Sequence, residues 1–201
     1  HKIADYLARA ERFHGVWPHW IDGPSGKVKP FGQKDNGGDL VESSFLMTGL
    51  LCVRQYFHNG NETEKALAAK IDTLWREMEW SWYQNGQDVL YWHWSPEYNW
   101  EMNFPLEGYN ECLITYILAA SSPTYPIPAS AYHNGWARKG AIKSDATAYG
   151  LPLILKHNGA EALGGPLFWA HYSYIGLNPK GLSDAYADYW ELNRNHTLIN
   201  Y

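Results

Sequence analysis

The stretch Asp35-Asn-Gly-Gly-Asp39-Leu-Val-Glu42-Ser-Ser-Phe-Leu-Met-Thr-Gly-Leu-Leu-Cys-Val53 decides the fold class. A polar loop runs directly into a segment where Leu40, Val41, Phe45, Leu46, Met47, Leu50, Leu51, Val53, Tyr56 and Phe57 leave no broad charged face. That pattern predicts a helix over 40–57 buried on every side, an inner helix rather than a surface one. Gly37-Gly38 lets the chain turn into it. Asp39, with Glu42 three residues on, makes an acidic capping box for the free N–H groups of the first turn. Two carboxylates at the open end of a buried helix also suit acid/base chemistry, since partial burial raises one pKa while the helix N-terminus favours its neighbour's charge. On this stretch alone both readings stand.

Working outward, residues 1–13 read as a short amphipathic helix with Ile3, Leu7 and Ala10 on one side, and 14–36 as a loop broken by Gly and Pro. Asn61-Glu-Thr-Glu64 is a second capping box. It opens a one-faced outer helix whose stripe is Leu67, Ile71, Leu74, Met78 and Trp82. An aromatic loop over 84–104 follows, with 88–94 pairing as a short strand. Pro105 suits the first turn of a second inner helix over 106–120, with Glu107 and Glu111 in its opening turns. A short outer helix is expected over 126–136, hairpin or loop segments over 148–154 and 168–175, and an uncapped helix from Asp184 onward.

The order inner, outer, inner makes the two inner helices parallel, so Asp39, Glu42, Glu107 and Glu111 are expected at one end of a single domain, 1–201. Glu107 and Glu111, four apart, would share a helix face. Glu111 lies past the last free N–H of that turn, amid Cys112, Leu113 and Ile114, where a buried acid needs a functional reason.

Composition narrows the partners. Apolar residues make up 45% and charged ones 18%, which is globular rather than disordered. A net charge of −5 without a basic run argues against nucleic acid or an anionic membrane surface, and no apolar run is long enough to span a bilayer. No leader precedes the first helix, so the compartment is not legible there. Cys52 and Cys112 sit in apolar helical patterns and read as buried thiols. No His-Glu-x-x-His, Cys-x-x-Cys, phosphate-binding Gly loop or Gly-x-Ser-x-Gly occurs, so neither a metal nor another cofactor is expected. Eleven Trp and fifteen Tyr are many for this length, and several stand in loops beside Gly, Pro, Asn and His, as in Trp17-Pro-His-Trp20 and Tyr91-Trp-His-Trp94. Such aromatics line wet clefts and offer flat faces to sugar rings.

Phe13-His-Gly15, Pro18-His-Trp-Ile-Asp-Gly23, Lys34-Asp-Asn-Gly-Gly-Asp-Leu-Val-Glu-Ser-Ser-Phe-Leu-Met47, Glu107-Gly-Tyr-Asn-Glu111, Ala119-Ala-Ser-Ser122 and Asp188-Tyr-Trp-Glu191 together resemble the glucoamylase-like (Glycoamylase) family of bacterial glycoside hydrolases, related to endo-β-1,2-glucanases. The likeness covers nearly the whole chain. It implies an all-α fold, an (α/α)6 toroid of inner and outer helices, of which this chain would be an incomplete, N-terminal portion with short β segments in its loops. It also implies inverting hydrolysis and export to the periplasm or the medium. By the same resemblance Asp39, Glu42 and Glu111 fall on acids thought to serve catalysis, and Asp35 on a nearby cleft acid.

The reading that results is hydrolysis of a glucan, β-1,2-linked by the resemblance, by a monomer. Glu111 is the expected general acid, because apolar surroundings favour its protonated form, with Asp39 or Glu42 as base or water positioner. Asp35, Trp17, Trp20, Trp94, Trp100, Glu107, Tyr109 and His171 are the expected substrate-binding residues. A carbohydrate-binding or scaffold protein that kept the cleft without the chemistry is the alternative. A lyase on an acidic polysaccharide ranks behind both, since only Lys34, Arg138 and Lys139 are placed to neutralise a uronate.

Overall fold

The helix read from the opening stretch is present in the computed structural model as α2, Leu40–Phe57, with Asp39 as its N-cap. The structure describes residues 1–157, 160 and 162–201. Helices dominate, joined by long loops and short two-residue strands. The chain forms two compact units. The first comprises His1–Gln87, Tyr91–Pro105 and Leu118–Ile127, and the second Asp88–Leu90, Leu106–Ile117 and Pro128–Tyr201.

In the first unit α1 (Lys2–Arg9), α2 and α3 (Glu62–Arg76) pack together, α3 lying against both of the others. The capping box of α3 forms as read: Asn61 Oδ1 accepts from Glu64 N at 3.1 Å, and Glu64 Oε2 from Asn61 N at 2.8 Å. Lys70 of α3 pairs with Asp5 of α1. The helix 1–13 is shorter than expected, and its buried side is Ala4, Leu7 and Ala10, with Ile3 74% exposed. The outer stripe is also interrupted. α3 stops at Arg76, so Met78 lies in the following turn, and Trp82 falls in a separate 3-10 turn, Trp80–Gln84, where it is exposed.

α2 is not buried all round. Leu40, Val41, Ser43, Ser44, Met47 and Leu50 are buried, whereas Cys52, Val53 and Tyr56 in its second half are exposed. Its apolar surface exceeds what α3 covers, and Cys52 is therefore not the buried thiol expected, although Cys112 is buried. The expected strand over 88–94 is reduced to β2, His93–Trp94, which pairs antiparallel with β1, Gly38–Asp39.

In the second unit the helix expected over 106–120 starts only at Leu113: α4 spans Leu113–Ser121, its residues from Leu118 onward belonging to the first unit. The backbone ahead of it has partners far along the chain. Leu106 N donates to Leu90 O, Gly108 N to Trp136 O and Tyr109 N to Lys156 O. Those bonds satisfy groups that a helical turn would otherwise need. At Gly108 a Cβ would meet the Trp136 indole at 2.6 Å. Glu107 and Glu111 thus precede the helix and do not share a face of it, and Pro105 bridges Tyr91 rather than opening a helix.

The segment 126–136 holds one wide helical turn, Ala131–Trp136. The 148–154 hairpin is found as β3 (Thr147–Ala148) against β4 (Leu151–Pro152). Residues 168–175, read as hairpin or loop, are instead helical: α5, Leu167–His171, runs into a 3-10 turn, Tyr172–Ile175. The last helix, α6 (Tyr189–Ile199), begins later than Asp184 and does have a cap, Asp188 Oδ1 accepting from Glu191 N at 2.9 Å. Among the described residues no helix is long and apolar enough to cross a membrane.

Candidate active site

The site in the first unit is built on the β1–β2 pair. Asp39 N donates to Trp17 O, Leu40 N donates to Trp92 O, and the ladder sets Asp39 opposite His93. This requires glycine at 38, where a Cβ would lie 1.9 Å from the Tyr83 hydroxyl, itself bonded to Phe13 O. The loop therefore enters α2 along one tight path, and Asp39 arrives fully buried.

Its carboxylate is crowded with donors. Oδ1 accepts from Val41 N at 3.1 Å, Glu42 N at 2.9 Å and Trp92 Nε1 at 2.9 Å. Oδ2 lies 2.7 Å from His19 Nδ1. His93 Nδ1 stands 3.9 Å from the same oxygen and 3.4 Å from Asp35 Oδ1. A carboxylate offers about four lone-pair sites, so Asp39 has little capacity left and no solvent face. The donor atoms of His19, Asp35 and Asp39 lie within 4.8 Å of one another, close enough to share a metal ion. A metal there would have to displace the proton between His19 and Asp39.

Glu42 is placed differently. It leaves its backbone N–H to Asp39 and directs its exposed side chain to a concavity of about 520 Å³, shared with Pro18, His19, Trp20 and Lys29. Protein mass around the carboxyl raises its pKa above the ordinary value, and the Asp39 charge adds to this while His19 and His93 offset part of it. The His19 imidazole is pushed the other way in effect: its hydrogen bond to Asp39 raises its pKa, against the cost of partial burial and with help from the charges of Asp39, Glu42 and Asp35. A second concavity, of about 620 Å³, runs along His19, Phe31, Asp35, Trp92 and His93.

Of the expected site residues, Asp35, Asp39, Glu42 and Trp20 gather here. Trp94 and Trp100 form an adjoining aromatic group: His14 stacks on Trp82 at 3.7 Å and meets Trp94 edge-on, and Trp100 lies 6.4 Å from Trp82. Trp17 does not offer a face, being core, with Nε1 bonded to Leu7 O. Glu107, Tyr109, Glu111 and His171 belong to the second unit. Glu107 pairs with Arg138 at 3.5 Å. Tyr109 is fully buried against Trp136 and His157, its hydroxyl reaching Ala170 O, so its ring too lacks an open face. Glu111 is half-buried between buried Asn110 and Cys112, and its carbonyl accepts from Ser173 Oγ at 2.6 Å. His171 Nε2 lies 3.1 Å from Thr197 Oγ1. His19, Phe31, Trp92 and His93 are site residues that the sequence pattern did not single out. The Pro18-His-Trp-Ile-Asp-Gly23 block and the strand that brings His93 against Asp39 were the available signals.

Residues 103–201 match the family model described as "Putative glucoamylase" (Glycoamylase). Over 99% of its length the chain is 69% identical to an endo-β-1,2-glucanase from Chitinophaga pinensis, solved with sophorotriose and glucose, and superposes with a TM-score of 0.98. By these matches the chain resembles the Glycoamylase family. It is also similar to an exo-β-1,2-glucooligosaccharide sophorohydrolase (non-reducing end) of Parabacteroides distasonis, 44% identical over 99% of the chain. A solved β-1,2-glucanase from the same organism is 43% identical, with a TM-score of 0.90. The chain spans 48% of the Chitinophaga structure, 31% of the Parabacteroides structure and 30% of the sophorohydrolase.

Proposed function

We propose that the protein containing this chain is a glycoside hydrolase that cleaves β-1,2-linked glucan. The single observation carrying this is the 69% identity, over 99% of the chain, to the endo-β-1,2-glucanase crystallised with sophorotriose and glucose. That identity exceeds the 44% to the exo-acting sophorohydrolase, which favours internal cleavage. The reading extends to an inverting mechanism and to an (α/α)6 toroid as the complete catalytic domain, with the protein working as a periplasmic or secreted monomer.

In this reading Glu111 is the general acid that protonates the leaving glycosidic oxygen. Glu42 is the base or water positioner, because its carboxyl is exposed to a concavity and poised by its raised pKa. Water adds at the anomeric carbon, its proton passes to the base, and the C–O bond breaks as the acid gives up its proton, which inverts the centre. Inversion needs roughly 6.5–9.5 Å between the two carboxyls, to admit the water. Asp35, Trp20, Trp94, Trp100, Glu107 and His171 are assigned to substrate binding.

The test is Glu111→Gln in the full-length protein. Reducing-end release from β-1,2-glucan should fall by roughly 10²–10⁴-fold with folding unchanged, and NMR of fresh wild-type product should show the α-anomer first. Near-normal turnover in the variant would refute the assignment of Glu111. Glucan binding without any hydrolysis by the wild type would favour the non-catalytic alternative.

A further inference from the structure

Asp39 meets the open concavities through His19, among other neighbours. The carboxylate is fully buried, one of its oxygens already takes three donors, and the other faces His19 Nδ1 at 2.7 Å. The His19 side chain is 24% exposed and lines both of the concavities described above. A carboxylate that holds the Nδ1–H of an imidazole fixes the tautomer and leaves Nε2 as the working nitrogen. No described residue hydrogen-bonds that nitrogen.

The ring has a companion surface. Phe31 lies 4.2 Å from the imidazole at a 31° tilt, and Trp20 meets Phe31 edge-on at 4.8 Å. Both are exposed, at 53% and 46%. A flat apolar wall beside one fixed imidazole nitrogen is the combination a pyranose needs, its C–H face against the ring and a hydroxyl toward that nitrogen. The charges select among ligands. Asp35, Asp39 and Glu42 surround His19, with His93 behind Asp35, while Lys29 and the Lys34–Glu101 ion pair stand at the rims. An anionic sugar would meet three carboxylates, so a neutral one is favoured.

We propose that His19 is a substrate-contacting residue whose Nε2 hydrogen-bonds a hydroxyl of a neutral glucosyl unit, and that Asp39 is a positioning residue acting through it rather than on the substrate. This deepens the reading as a β-1,2-glucan hydrolase and rests on it.

The experiment measures sophorotriose binding by calorimetry in full-length protein carrying Glu111→Gln to block turnover. His19→Phe keeps a ring and removes the ring nitrogens, and should weaken binding about tenfold, while His19→Gln should stay within about threefold. Asp39→Asn keeps the helix cap but loosens the imidazole, and should weaken binding less than His19→Phe does. Combined with His19→Phe it should add no further loss, since both changes remove one contact. Nitrogen NMR of the His19 ring in the same Glu111→Gln protein should show the Nε2 signal shifted by sophorotriose. Unchanged affinity in His19→Phe, additive losses in the double variant, or an Nε2 signal indifferent to the sugar would each overturn the proposal. Where the wild type hydrolyses β-1,2-glucan and these results still fail, only the role of His19 falls. Where sophorotriose neither binds nor is cut, the functional reading itself falls.

Discussion

Trp92 Nε1 donates a 2.9 Å hydrogen bond to Asp39 Oδ1, a carboxylate with no solvent exposure. Hydrogen bonds to charged groups are worth about 1.5–3 kcal/mol, and more is lost when the partner left behind is buried. Trp92→Phe, which keeps an aromatic ring and deletes the donor, should lower unfolding free energy in urea by about that amount. A change below about 0.5 kcal/mol would place the variant among ordinary surface substitutions and show that the indole adds nothing to the site.

The approach of Gly38 to Tyr83 makes a second test. Gly38→Ala would set a Cβ 1.9 Å from the Tyr83 oxygen, and overpacking of this kind costs about 1–3 kcal/mol. Tyr83→Phe removes that oxygen, at the expense of its bond to Phe13 O. The cost of Gly38→Ala should therefore shrink markedly in the Tyr83→Phe background. A double-mutant cycle in urea measures it, and strict additivity of the two changes would rule out the contact as the cause.

Glu42→Gln should separate stability from turnover. The folded protein holds this carboxyl with a raised pKa, through desolvation and then Asp39. A carboxyl with a raised folded pKa opposes folding once it is ionised, at neutral pH, and ceases to do so as pH falls below its unfolded value. Removing it should raise the melting temperature at pH 7, with the gain vanishing near pH 3. Turnover of the full-length protein should drop by roughly 10²–10⁴-fold if Glu42 is the base. Full activity in the variant would sink that role.

His157 and His196 in the second unit stack at 4.5 Å with their rings 7° apart, both buried. Burial, and then the charge of His196, pushes His157 down to about 3. A histidine with a depressed folded pKa must be neutral to stay folded. Its contribution is complete above the unfolded value of about 6.5 and is lost as pH falls from there toward 3. Unfolding free energy should decline through that window by a few kcal/mol, and His157→Leu should flatten the decline. An identical acid limb in wild type and variant would move the effect to other groups.

The sequence made α2 and the Asn61 capping box legible because each is written in contiguous residues, an apolar run behind a cap and an Asn-x-x-Glu spacing, whereas 148–154 read as hairpin or loop alike. The late start of α4 was not legible, since its cause lies in backbone bonds from residues 106, 108 and 109 to Leu90, Trp136 and Lys156. At the candidate site the acids Asp35, Asp39 and Glu42 could be read from one block. His19 and His93 could not, because the first reaches Asp39 from twenty residues away and the second across a strand pair. The exposure of Val53 and Tyr56 was hidden for another reason. Hydrophobicity reports what a helix can bury, and α3 covers only one side of α2.

Asp39 holds the first turn of α2 through two backbone amides while it anchors an indole and an imidazole. A descendant with no need of catalysis would still lose its helix start, and much of its loop, by discarding this acid. Persistence of an aspartate here therefore speaks for architecture, and a lineage drifting into a mere sugar receptor would betray itself first at Glu42, whose exposed carboxylate the scaffold can do without.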